Sequence, residues 1–191
     1  GHHAEANRAM GFCIFNNIAV GARYAQKIGY KKIFIIDSDV HHGNGTQHTF
    51  EEDDNVFYFS THQYPHYPGT GDESEKGKKG GDGFTYNIPM SSGSGDKQYS
   101  SAYNETLPPL VKKFAPDMVM VSAGYDIHAR DPLSGIKVSD EGIKSIVKGI
   151  LACSELRALN SGLPFIFALE GGYNLQALGN SVLLTVIEML G

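Results

Sequence analysis

Four runs limit what this chain can fold into more than any other feature: Lys32-Ile33-Phe34-Ile35-Ile36, Val56-Phe57-Tyr58-Phe59, Met118-Val119-Met120-Val121 and Phe165-Ile166-Phe167-Ala168-Leu169. A strand with one wet face alternates apolar and polar residues. These runs are apolar at both odd and even positions, which predicts strands covered on both faces, as in a parallel sheet held between helices. Helical patterns over residues 99–114, 140–159 and 175–190 separate or follow them, giving the βα alternation that builds such a sheet through right-handed crossovers. An earlier pattern, Ala6, Met10, Phe12, Ile18, Ala22 and Ala25, predicts a helix across residues 4–28 that Gly29 stops. The expected fold class is α/β, three layers (α/β/α) around a mainly parallel sheet. With 191 residues, 41% of them hydrophobic, and no internal repeat, the expectation is one domain over residues 1–191. Residues 69–83, rich in glycine and charge, and Ser91-Ser92-Gly93-Ser94-Gly95 read as mobile surface connections.

Charge and cysteine usage narrow the function classes. The net charge is −5, with no long block of lysine or arginine, so no direct nucleic-acid partner is expected. No apolar stretch is long enough to span a bilayer, and no membrane partner is expected. Cys13 and Cys153 have neither CxxC nor framework spacing, which points to a reducing cytoplasm.

Chemistry concentrates where the strands end. Asp37, Asp39 and His41 share parity in Ile36-Asp37-Ser38-Asp39-Val40-His41-His42-Gly43, so in an extended strand they leave on one face, within reach of one ion. Taken alone, Asp-x-Asp after a strand is also a solvated turn or a helix cap. Asp126 closes another buried-type strand in Ser122-Ala123-Gly124-Tyr125-Asp126, and two carboxylates with one imidazole form a site with a position left for water and substrate. His2 and His3, which otherwise read as exposed residues or the remnant of a tag, run directly into a helical pattern. An imidazole there can take a proton from a metal-activated water and return it to a departing amine, with Asp37 and Asn44 as orienting partners. Glu170-Gly171-Gly172-Tyr173 is either a tight turn with a packing tyrosine or a phenol placed to donate to an oxyanion, the diglycine letting it swing in. Phe12 and the stretch Tyr64-Pro65-His66-Tyr67-Pro68-Gly69-Thr70-Gly71 would make a narrow slot for a methylene chain; Phe12 as an ordinary core residue is the competing reading.

In order along the chain, Gly1-His2-His3-Ala4, Gly11-Phe12-Cys13, Asp37-Ser38-Asp39-Val40-His41-His42-Gly43-Asn44-Gly45-Thr46, Tyr67-Pro68-Gly69-Thr70-Gly71, Ser122-Ala123-Gly124-Tyr125-Asp126 and Glu170-Gly171-Gly172-Tyr173-Asn174 resemble the histone deacetylase and acetylpolyamine amidohydrolase family. The His-His-Gly-Asn-Gly-Thr and Tyr-Pro-Gly-Thr-Gly forms look most like its class II and bacterial branches. The resemblance implies an arginase-like fold and a metal-dependent amidohydrolase that removes acetyl or a related acyl group from lysine or polyamine-like amines. It implies Asp39, His41 and Asp126 as ligands of Zn2+, with Fe2+ or Co2+ also accepted, and a structural K+ on carbonyls around Asp37, Asp39 and His41 with the Ser60 hydroxyl. His3 would be the principal acid/base, His2 its electrostatic partner, Asp37 and Asn44 their supports, and Tyr173 the oxyanion donor. The Gly11 carbonyl would take the substrate N–H, with Phe12 and Tyr67 flanking the acyl chain. In the family the Gly-His-His motif lies well inside the catalytic domain, so this chain is expected to be a C-terminal portion of one. Its histidines would then be poorly fixed, its isolated activity impaired, and an uncovered edge would favour a homo-oligomer. A non-catalytic acyl-amine binder on the same fold and a two-metal guanidine hydrolase are the rival readings.

Overall fold

The computed structural model describes residues 1–156 and 162–191. Five parallel strands form one sheet: β1 (Ile33–Asp37), β2 (Val56–Gln63), β3 (Thr85–Met90), β4 (Met118–Ala123) and β5 (Phe165–Leu169), in the order β3-β2-β1-β4-β5. Every residue of β1 and of β4 is buried, the consequence of helices on both faces that their unbroken apolar runs require. The α/β, three-layer architecture is therefore present.

The period-two geometry of the strands divides the core. Ile33 and Ile35, with Val56, Tyr58, Met118 and Met120, pack against Ile18, Ala19, Ala22 and Ala25 of helix α1 (Asn17–Lys27). Phe34, Ile36, Phe59, Val119 and Val121 point the other way, onto Tyr103, Leu107, Val111 and Phe114 and onto Ile143, Val147 and Ile150. Those partners come from a helical stretch made of α3 (Asp96–Ser101), a π-helical segment Ala102–Thr106 and α4 (Leu107–Phe114), and from α5 (Asp140–Ala152). Helix α6 (Leu175–Leu190) packs on the same side, its Thr185 hydroxyl 2.9 Å from the Tyr125 hydroxyl. Phe34 is fully buried, stacked on Phe57 with centroids 4.7 Å apart and edge-on to Phe114 at 5.9 Å. Removing that ring leaves a hole that its rigid neighbours cannot close. Phe34→Ala is expected to destabilise the protein by about 3–5 kcal/mol in urea unfolding, and a loss below about 1 kcal/mol would show that the aromatic cluster is not the core it looks to be.

Several expectations change. The helix expected from residue 4 begins only at Asn17, because Gly11 and Phe12 have φ of 54° and 63°, which no helix tolerates, and the Asn16 side chain caps the new start by accepting from Ala19 N at 3.0 Å. Strand β3 and a short helix α2 (Asn44–Phe50) were not legible as such. The helix expected to reach residue 159 ends as α5 with a 3-10 turn Cys153–Leu156, and residues 157–159 lie outside the described residues. Residues 69–83 cross the surface but are pinned: Glu75 accepts from Gly71 N at 3.0 Å and Asp72 N at 3.1 Å, and His62 Nε2 donates to the Gly71 carbonyl at 2.8 Å. At the far side β5 is the sheet edge, with Ile166 and Leu169 exposed.

Candidate active site

From β1 the chain passes to β2 on one side, while β4 pairs with β1 on the other, so the strand order reverses between β1 and β4. Loops leaving the carboxyl ends of two such strands diverge and open a crevice, the place where open α/β sheets bind ligands. Asp39 and His41 follow β1, and Asp126 follows β4. Their ligand atoms all lie within 4.8 Å of one another, and no other such group of three or more His, Cys, Asp or Glu occurs among the described residues.

The side chains do not gather by strand parity. Strand β1 ends at Asp37, whose Oδ1 accepts from Asp39 N at 3.2 Å as the chain turns, so Asp39 and His41 lie beyond the extended segment. Asp37 faces away from the triad, accepting from His2 Nδ1 at 2.9 Å and from the Tyr58 hydroxyl at 3.0 Å. Asp39 and Asp126 are almost wholly buried, and His41 Nδ1 stands 3.1 Å from an oxygen of each. Burial, and then the neighbouring Asp39 charge, push the Asp126 carboxyl up to about 7. Burial would lower His41, but hydrogen bonds to Asp126 and Asp39 raise it to about 9. Two buried carboxylates and an imidazole nitrogen converging on one point suit a divalent cation: they are its usual donors, and its charge relieves their repulsion.

His2 and His3 are 3% and 4% exposed and firmly held. The His2 carbonyl accepts from Thr46 N at 3.1 Å, and His3 Nδ1 lies 2.8 Å from Asn44 Oδ1. Since Asn44 Nδ2 donates to Glu5 Oε1 at 2.5 Å, Asn44 Oδ1 is the acceptor toward His3. The proton of neutral His3 is therefore on Nδ1, and Nε2 offers its lone pair. Burial opposes charge on both rings. In His2 the carboxylates of Asp37 and Asp39 overcome it and raise the imidazole to about 10, while in His3 burial, together with the neighbouring His2, lowers it to about 3. One imidazole is kept charged beside one that is free to accept a proton.

A cavity of about 320 Å³ opens over this group, lined by His3, Gly11, Phe12, His41, Tyr67, Leu133 and Tyr173. Phe12 is 91% exposed, which excludes the core reading, and its ring stands edge-on to Tyr173 with centroids 6.4 Å apart. Tyr67 packs edge-on against His3 at 5.0 Å. Gly11 must be glycine: at φ 54° a Cβ would lie 2.2 Å from the His3 ring. Burial, then the charges of Asp39 and Asp126, raise the Tyr173 phenol, so it stays a hydrogen-bond donor. The structure thus brings Asp39, His41, Asp126, His3, Gly11, Phe12, Tyr67 and Tyr173 to one crevice, with His2, Asp37 and Asn44 behind it. Sequence reasoning missed Leu133, which lines the cavity from an irregular loop, and Tyr58, a strand core residue whose only signal was a hydroxyl at a fully buried position.

An arginase-like three-layer fold with a convergent donor triad and paired histidines at its switch point defines an α/β protein with a candidate metal centre at the carboxyl edge of its sheet. The profile of the histone deacetylase domain matches residues 1–189, and the chain belongs to that family. It is 47% identical over 192 residues to "Histone deacetylase 10, chloroplastic" of rice, covering 100% of this chain and 43% of that protein. To the "Probable deacetylase" of Archaeoglobus fulgidus it is 39% identical over 176 residues, covering 92% of this chain and 48% of that protein. The crystal structure of the HDA15 HD domain superposes with a TM-score of 0.90 at 41% identity, over 100% of this chain and 55% of that one. The chain thus spans less than half the length of these curated relatives. Among the described residues no helix is long and apolar enough to cross a membrane.

Proposed function

We propose that residues 1–191 belong to the catalytic domain of a metal-dependent deacetylase that hydrolyses the amide of an acetylated, or similarly acylated, lysine or polyamine-like amine. The observation that carries this reading is the meeting of Asp39, His41 and Asp126 beside the unprotonated Nε2 of His3, under a cavity that Tyr173 also lines. Asp39, His41 and Asp126 would hold the ion, which supplies Lewis-acid polarisation of the carbonyl and an acidified water. Zinc is our reading of the metal, and two oxygens with one nitrogen also suit ferrous iron or cobalt. Within this reading His3 Nε2 takes the proton of the attacking water and later delivers it to the departing amine, while charged His2, fixed by Asp37, stabilises the negative charge that develops. The Tyr173 O–H donates to the oxyanion. Phe12 and Tyr67 flank the methylene chain, and the Gly11 carbonyl accepts the substrate N–H. A potassium ion near Asp37, Asp39 and His41 is supported by Ser60: His62 Nε2 donates to Gly71, so His62 Nδ1 accepts the Ser60 hydroxyl at 2.9 Å and the oxygen lone pairs of Ser60 remain for a cation. The free Cys13 and Cys153 suit a reducing compartment, which we take to be the cytoplasm.

The test compares an acetyl-lysine peptide with an acetylpolyamine on the complete protein before and after chelation. Turnover of at least one is expected to vanish with the metal and return with added Zn2+, Fe2+ or Co2+. Turnover that survives complete metal removal, or none on either substrate in the metal-loaded protein, would refute the reading.

A further inference from the structure

Asp131 sits in the loop that leaves β4 past Asp126, is 7% exposed, and lines no part of the cavity. Its two carboxylate oxygens are divided between two walls of that cavity. Oδ1 accepts from Leu133 N at 2.9 Å and Oδ2 from Tyr173 N at 2.7 Å. The first bond is an Asx turn in which Pro132, lacking an N–H, makes Leu133 the first residue able to donate. That turn needs one oxygen and would be served by asparagine or serine. A second, buried oxygen facing a residue on another loop asks for a different explanation, because burying a carboxylate is costly unless each oxygen is hydrogen-bonded.

The segment it reaches has little else to fix its direction. Gly171 is tied down, donating to Asp39 Oδ2 at 2.7 Å and accepting from Tyr125 N at 2.8 Å. Gly172 then adopts φ 148°, a region open to glycine, from which the chain can leave in many directions. The next N–H is that of Tyr173, and Asp131 holds it. Asn174 Nδ2 adds a bond to the Arg130 carbonyl at 3.2 Å, so the same two segments are laced twice.

We propose that Asp131 is a positioning residue, a buried carboxylate clamp that locks the Tyr173 main chain, and hence its phenol, in register with the Leu133 wall. The inference rests on the reading of Tyr173 as oxyanion donor. Under it, the diglycine is not a free hinge; the clamp selects one orientation from those that Gly172 permits.

The discriminating experiment is a double-mutant cycle in the complete protein. Asp131→Asn keeps the side-chain shape and one carbonyl acceptor but turns an NH2 toward the other N–H. It is expected to lower kcat about tenfold to a hundredfold at unchanged metal content, with KM moving less than about threefold. On a Tyr173→Phe background the same substitution should change kcat by less than about threefold, because the phenol it positions is already gone. Hydrogen exchange at the Tyr173 amide should accelerate. An equal loss of kcat in both backgrounds, a fall in metal content, or unchanged exchange at Tyr173 would overturn the proposal. Should Asp131→Asn not fold, Asp131→Ser, which still serves the Asx turn, carries the same cycle. A wild-type protein without turnover would instead fail the deacetylase reading, and the clamp would then stand or fall on the exchange result alone.

Discussion

Replacing Asp126 by alanine in the complete protein is expected to abolish both metal binding and turnover, whereas Tyr173→Phe keeps the metal and slows turnover about a hundredfold or more. Asp126 is fully buried, accepts from Val40 N at 2.8 Å and faces His41 Nδ1 at 3.1 Å, so it is both a donor of the triad and the brace of the loop carrying the other two. Its loss removes an anionic donor and leaves the buried Val40 N–H unpaired, which costs about 1–3 kcal/mol of stability. Asp126→Asn separates these effects: its amide oxygen still satisfies Val40, the fold should be retained by circular dichroism, and metal affinity should still fall. Tyr173 lines the cavity from another loop and is not one of the three grouped donors, so phenylalanine removes one hydrogen-bond donor and leaves the triad in place. Equal metal loss in the Asp126 and Tyr173 variants would show that the two residues do not have the separate roles assigned to them.

The contrast between them follows where the sequence was readable. Ile33 to Ile36 and Val119 to Val121 announced central strands because burial on both faces leaves no polar position, and the motifs that follow them therefore had to meet at the carboxyl edge. Strand β3 was hidden for the opposite reason: Thr85-Tyr86-Asn87-Ile88-Pro89-Met90 mixes polar residues with a proline, tolerable only because β3 is an edge with β2 as its one neighbour. Residues 4–16 misled because Ala6, Met10 and Phe12 imitate a helical stripe by spacing alone. Their backbone is instead bent by Gly11 and Phe12 into a loop that turns Phe12 outward and brings His2 and His3 down onto α2. Periodicity sees which residues repeat but not the sign of φ. The motif residues around the crevice were legible through their resemblance to a family. Asp131 and Leu133 were not, since a loop carries no period and a carboxylate that bonds only main-chain N–H groups leaves no partner side chain to find.

The diglycine offers the sharper test of how this crevice is built. As a hinge, either glycine would matter through flexibility alone, and replacing it would slow turnover without touching the metal. The structure gives the two glycines different tasks. A Cβ on Gly171 would lie 2.3 Å from Asp126 Oδ2 and 2.7 Å from Asp39 Oδ2, and the Gly171 main chain cannot retreat because it is bonded to Asp39 on one side and Tyr125 on the other. Gly171→Ala is therefore expected to push the two carboxylates apart, weakening metal binding at least about tenfold and abolishing most turnover. A Cβ on Gly172 would crowd Leu178 Cδ1, at 2.9 Å, and touch Leu178 Cγ and Tyr125 Cβ at 3.5 Å, none of them a metal donor, but φ 148° is strained for any other residue. Gly172→Ala should accordingly cost about 1–3 kcal/mol in stability and disturb Tyr173 while leaving metal affinity near wild type. Metal titration of the two variants side by side decides between close packing and hinge. Unaltered metal affinity in Gly171→Ala would mean that the carboxylates have room to move, and the tight triad inferred from Asp39, His41 and Asp126 would have to be abandoned.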